Sequence, residues 1–133
     1  MNHVFLIFLG GGLGSVARWG LSSAIQTLAK NTSLKYFPIG ILTCNVLGCF
    51  LIGCLFGFLT SKTAPQWVMP LLATGFLGGF TTFSTFAKDT HSLWVNGLTY
   101  LAFFKIILSV ALGVAAVFIG IKITQSTYNQ FIQ

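Results

Sequence analysis

Residues 78–90 read GGFTTFSTFAKDT. Four hydroxyls (Thr81, Thr82, Ser84 and Thr85) alternate with three phenylalanines (Phe80, Phe83 and Phe86), behind two glycines. Hydroxyls donate hydrogen bonds, and a phenyl ring is negative on its face and positive along its edge. Together they could hold a small anion weakly. Weak holding suits passage, because a conducted ion must leave as readily as it enters. Arg18 and Asn45 also stand in apolar surroundings, where a polar side chain faces a cavity or a partner. Asn45 could tie two helices together through its amide, or offer its NH₂ donors to a passing species. Arg18 reads as a cation lining a water-filled vestibule, in preference to a snorkelling arginine at one interface.

Other chemistries lack their parts. Asp89 is the single acidic residue, so there is no carboxylate pair for glycoside or aspartyl chemistry and no His/Glu cluster for a catalytic zinc. His3 and His91 have no ligand partners, and a Ser/His/Asp triad would be an accident. Cys44, Cys49 and Cys54 are five residues apart and point to different sides of one helix. The run GGGLGS has neither a preceding strand nor a Walker lysine, so it is not a nucleotide loop. No enzyme and no catalytic cofactor is expected. Proton-coupled export is also disfavoured, since it needs a titratable carboxylate deep in the membrane.

These residues must be positioned by elements that suit an oily chain. Of 133 residues, 55% are hydrophobic and 6% charged, with mean hydropathy +0.88. A soluble domain carries roughly a quarter charged residues, so the composition predicts an all-α membrane protein. Four apolar stretches, 4–28, 37–59, 67–95 and 98–123, each meet the length of about 20 residues that spans a bilayer. They form one four-helix domain, with clear loops only at 30–36 and 61–66. The first stretch lacks a basic leader and carries Arg18, so it reads as a mature helix and not a signal peptide. The third is longer than a bilayer requires and has Gly78 and Gly79 as weak points, which predicts a helix broken near 78–82. Irregular backbone at that depth is tolerated only in protein or beside a cavity. Gly10/Gly14, Gly53/Gly57 and Gly75/Gly79 make GxxxG pairs for close helix approach. The repeated FLGG (8–11 and 76–79) reads as chance.

The net charge of +6 would suggest nucleic acid in a soluble protein. Here Lys30, Lys35, Lys62 and Lys122 fall at helix ends, where headgroup contact accounts for them. Two fall on each side of the membrane, so no orientation is favoured. Insertion both ways would permit an antiparallel homodimer.

Three motifs carry a resemblance that covers the whole chain. GGGLGSVARW (10–19) is similar to GGxxGxxxRY, with Trp19 where tyrosine is usual. GILTCNVLGCFLIG (40–53) is similar to GTLxVNxxGxFxxG, keeping Asn45, Gly48 and Gly53, with Ile41 and Cys44 where Thr and Val are common. GFLGGFTTFSTF (75–86) is the most specific match, at near identity. These resemble the small bacterial fluoride channels of the Fluc or CrcB family. The resemblance implies an antiparallel dual-topology homodimer in the bacterial cell membrane, with two fluoride pores and passive, selective conduction out of the cytoplasm. Asn45 would donate to fluoride, Phe83 and Phe86 would present ring edges, and Ser84, Thr85 and Ser109 would add hydroxyls. Arg18 would stand in the vestibule. Carbonyls of Gly78 and Thr81 would hold a structural sodium ion at the dimer interface. Asp89 stands where a glutamate is frequent. Lys105 matches no family role and reads as a snorkelling lysine.

Two rivals remain. A small multidrug-type, proton-coupled exporter would also be a four-helix, dual-topology protein, but it wants a carboxylate in its first helix. A non-transporting assembly subunit would use the GxxxG faces and leave TTFSTF unexplained.

Overall fold

The structure is a computed structural model that describes residues 2–59 and 65–132, with side chains through residue 127. Lys62 and most of the loop expected at 61–66 lie outside the described residues. Every regular element among the described residues is helical. Helix α1 is His3–Ala29, capped by the Asn2 side chain, which accepts from Val4 N. Helix α2 is Ile39–Leu59, and it is apolar on all sides. Helix α5 is Thr99–Ile132, running on past the apolar stretch that ends at Ile123. The segments His3–Ala29, Ile39–Leu59 and Thr99–Thr127 are each long and apolar enough to cross a membrane.

The third apolar stretch is built in pieces. Met69–Leu77 is wound as a wide π-helix, with Pro70 in its first turn, where its missing N–H leaves no bond unmade. The Gly78 N–H reaches back five residues to the Ala73 carbonyl. A single turn, α3 (Gly78–Phe80), follows. Thr81 and Thr82 are then extended, with φ/ψ of −91°/155° and −151°/120°. Helix α4 resumes at Phe83 and runs to Val95. The helix therefore leaves its winding within the expected 78–82, at Thr81 and Thr82 and not at the glycines themselves. Gly78 is itself helical, at φ −62° and ψ −39°, and the two threonines after α3 leave the helix instead.

The glycines serve packing. Helix α1 lies mainly along the π-wound stretch, and α2 along α5. A methyl group built on Gly10 would stand 3.0 Å from the Gly75 Cα and 2.8 Å from the Phe76 N. One on Gly14 would strike the Phe76 carbonyl oxygen, and one on Gly79 the Gly11 carbonyl oxygen. Two of the three GxxxG pairs thus face each other, and the third, Gly53/Gly57, lets α2 approach the α5 backbone at Val117 and Ile121. Gly97 closes α4 with φ +76°, and Leu98 N donates to Leu93 O at 2.9 Å, a left-handed cap that turns α5 back along α4.

Much apolar surface stays uncovered. Phe83 is 79% exposed, and Tyr100, Ile107 and Val110 are also open. In water such a surface would aggregate; in a bilayer it meets acyl chains or another copy.

The packing yields a paired prediction. Gly14→Ala should destabilise the fold by about 1–3 kcal/mol through overpacking. Gly12 has nothing within 4 Å of an added methyl, so Gly12→Ala should hold or raise stability by up to about 1 kcal/mol. Thermal unfolding in detergent checks both, and equal effects would contradict this packing.

Candidate functional site

Thr82 leaves the helix because Asn45 receives it. The Asn45 side chain accepts from Thr82 N at 2.8 Å through Oδ1 and donates to Thr82 O at 3.2 Å through Nδ2. Both backbone groups of one extended residue are thereby satisfied by one amide, as buried backbone must be. Of the two uses open to Asn45, the structure makes the tie. One N–H of its NH₂ group is left over.

The tie frees a carbonyl. In an unbroken α-helix the Thr82 N–H would bond to the carbonyl of Gly78, four residues back; here it is committed to Asn45. The same occurs one turn on. Thr85 N would bond to Thr81 O, but Thr82 Oγ1 takes it at 3.2 Å as the cap of α4. The carbonyls of Gly78 and Thr81 therefore lack their ordinary helical donors. Gly78 is exposed, and both residues line the same cavity. A pair of carbonyl oxygens freed in this way suits a hard cation.

One cavity is lined by the extended pair, and a second begins one turn on, at Thr85. The inner one, about 410 Å³, is lined by Asn45, Thr81, Thr82, Phe83, Phe86 and Ser109, among others. Among the described residues neither a carboxylate nor a cationic side chain lines it. Ser109 Oγ is buried with no hydrogen-bond partner among the described residues, although a buried hydroxyl ordinarily has one. The Phe83 and Phe86 rings lie 5.4 Å apart, tilted by 35°. The outer cavity, about 860 Å³, is the more polar of the two, with Ser22, Gln26, Thr85, Lys88, Asp89 and Asn96 in its wall beside apolar residues such as Ile41 and Leu93.

Hydroxyls bridge the two. Thr82 belongs to the inner wall and Thr85 to the outer, and Thr82 Oγ1 donates to Thr85 Oγ1 at 3.2 Å. Ser84 Oγ adds a contact to the same Thr82 oxygen at 3.1 Å. Six of the residues singled out in the sequence (Asn45, Gly78, Thr81, Phe83, Phe86 and Ser109) thus meet on one cavity, with Ser84 and Thr85 on its hydroxyl margin. Arg18 does not join them. It is half-buried on α1, its backbone carbonyl accepts from Cys44 Sγ at 3.8 Å, and it lines neither cavity. Lys88 and Asp89 form an ion pair at 3.5 Å in the outer wall.

Lys105 corrects the sequence reading. It does not snorkel: it is 0% exposed, one of the two largest fully buried side chains. Nζ donates to Phe86 O at 2.7 Å and to Thr90 Oγ1 at 3.1 Å, and lies 4.5 Å from the centroid of the Phe86 ring. The lysine amine therefore lies on the face of the Phe86 ring. The sequence held one usable signal, the spacing of four between Lys105 and Ser109, which puts both on one side of α5.

Asn45→Leu removes both bonds to Thr82 and leaves its N–H and carbonyl unpaired. Each loss costs about 1–3 kcal/mol, so the variant should unfold well below the parent in a detergent melt. An unchanged melting temperature would show that the tie carries no stability.

The family described as "CrcB-like protein, Camphor Resistance (CrcB)" matches residues 5–121. Among individual proteins, the chain is similar to one from Paracoccus denitrificans (strain Pd 1222), 40% identical over 129 residues, covering 96% of this chain and 99% of the relative. One from Coxiella burnetii (strain CbuK_Q154) is 42% identical over 123 residues, covering 91% and 96%. One from Parabacteroides distasonis is 41% identical over 121 residues, covering 91% of each. All three bear the name "Fluoride-specific ion channel FluC". With a match over most of its length and relatives well above 30% identity, this chain belongs to the CrcB family.

Proposed function

We propose that this chain is a multi-pass membrane channel that conducts fluoride passively and selectively out of the cytoplasm. The observation that carries this reading is the inner cavity. Phe83, Phe86, Asn45 and Ser109, whose hydroxyl has no partner among the described residues, line it together, beside the hydroxyl link to the more polar outer cavity. All offer donors or positive edges, and none is a charge in the wall that would hold the ion fast. Fluoride is small and hard, so it gains most from replacing water by short hydrogen bonds. Chloride is wider and gains less. Fluoride that enters as neutral HF ionises in a more alkaline cytoplasm, and an inside-negative potential drives the anion out. The names borne by the relatives agree with this reading.

The active unit is an antiparallel, dual-topology homodimer with two pores, each crossing the bilayer at the break in the third span. Two observations support it. The lysines give no preferred orientation, and the Phe83 ring, with 79% of its surface uncovered, needs a neighbour to become a pore wall. The freed carbonyls of Gly78 and Thr81 suit a structural sodium ion at the subunit interface, where two copies would bring four such oxygens together. Bound there, the ion would hold the interface and take no part in the transfer of fluoride. Arg18 would serve the vestibule only through rearrangement or from the second copy.

A proton-coupled exporter is not favoured, since the inner cavity has no carboxylate to carry the proton. Proteoliposomes loaded with fluoride give the test. Efflux should follow once a potassium ionophore relieves the charge, with no need for a proton gradient. Phe83→Ile should slow it roughly tenfold by deleting a ring edge while the protein still runs as a dimer on gel filtration. Efflux at the parental rate would remove the ring-edge argument; efflux that requires a proton gradient would favour the exporter.

A further inference from the structure

We propose that Lys105 is a positioning residue of the anion path that acts through the ring of Phe86, making its edge a stronger partner for fluoride. The inference rests on the channel reading above and assigns a role to a side chain which that reading leaves idle.

The first observation is an imbalance of charge. Lys105 is 0% exposed, and a buried ammonium is costly unless an opposite charge meets it. The chain has one acidic side chain, Asp89, and its carboxylate is paired with Lys88 at 3.5 Å. Among the described residues no ion pair joins Asp89 to Lys105. The close partners of Lys105 Nζ are a carbonyl at 2.7 Å, a hydroxyl at 3.1 Å and a ring face at 4.5 Å. All are dipoles or a quadrupole, and none cancels a full charge. In a protein that passes anions, the missing counter-charge can be the ion in transit.

The second observation is direction. Phe86 meets Lys105 with its face, while the same ring lines the inner cavity together with Phe83 and Ser109. A cation over the face draws π-density towards itself. The C–H edge is left more positive, and the edge is the part of a ring that an anion contacts. Lys105 is itself absent from the cavity wall. Fluoride would feel the charge at one remove and would not be trapped in a contact ion pair, as conduction requires. A lysine kept only to join α4 to α5 would need its two hydrogen bonds and nothing more. The two roles therefore separate by charge.

The test is fluoride efflux from proteoliposomes containing the full-length parent, Lys105→Arg, Lys105→Gln or Lys105→Met, each first shown to be a single species on gel filtration. Gln keeps an amide donor without the charge, and Arg keeps both. The expected result is a loss of roughly tenfold in Gln and Met alike, the size of a desolvated cation–ring contact, with Arg retaining more flux than either because it keeps the charge, although its planar fork does not reproduce the ammonium. Gln at the parental rate would overturn the proposal in favour of a purely structural bond. Should the neutral variants fail to fold, Thr90→Glu sets a carboxylate beside the retained ammonium and cancels its field. That variant should lose flux several-fold more than Thr90→Gln, and equal rates for the two would overturn the proposal. A parent that passes no fluoride would overturn the channel reading, and this inference with it. A conducting parent with unaffected neutral variants would overturn this inference alone.

Discussion

One side-chain amide decides how the third stretch of this protein is built. Asn45 offers an acceptor and a donor at the right spacing for both backbone groups of Thr82, at 2.8 and 3.2 Å. Without it, an extended residue in an apolar chain would leave two unsatisfied groups, and the helix would do better to continue. With it, the break is satisfied at one residue and the groups on either side are released. The Gly78 carbonyl loses its helical donor, and Thr82 turns its hydroxyl to cap α4. Acceptors are left behind the break and donors ahead of it.

That separation of sign explains how one short segment could serve ions of both kinds. Freed carbonyls suit a cation in a fixed place, whereas a helix start, hydroxyls and ring edges suit an anion in motion. The two sets share the inner cavity and differ in strength. Nothing in its wall carries a formal charge, and the nearest buried ammonium, Lys105, stands behind the Phe86 ring. The arrangement is thus graded, with weak polar groups in the cavity wall and the lysine amine one layer back.

Much of this was legible in the chain itself, for definite reasons. Helix number and class follow from long apolar stretches and scarce charge, because only a bilayer accommodates both. The GxxxG pairs announced close approach, and Gly10, Gly14, Gly75 and Gly79 do meet backbone on backbone. The segment 78–90 stood out because hydroxyls are costly in an apolar stretch. What could not be read depended on contacts distant in sequence. The glycines pointed to a break near 78–82, whereas the partner that holds Thr82 out of the helix lies on α2, 37 residues away. Lys105 looked like a snorkelling side chain because apolar spacing does not reveal which carbonyl waits opposite. Only the turn at Gly97, by folding α5 back on α4, brings it to Phe86.

The proposed conduction is of an anion moving alone past neutral donors and ring edges. The most direct test is the reversal potential of currents through the reconstituted protein under a fluoride gradient, with pH equal on both sides and chloride as the other anion. Passive, selective conduction predicts a shift of about 59 mV for each tenfold change in fluoride, unmoved when a pH gradient is then imposed. A reversal potential that ignores fluoride, or one that follows pH, would contradict it.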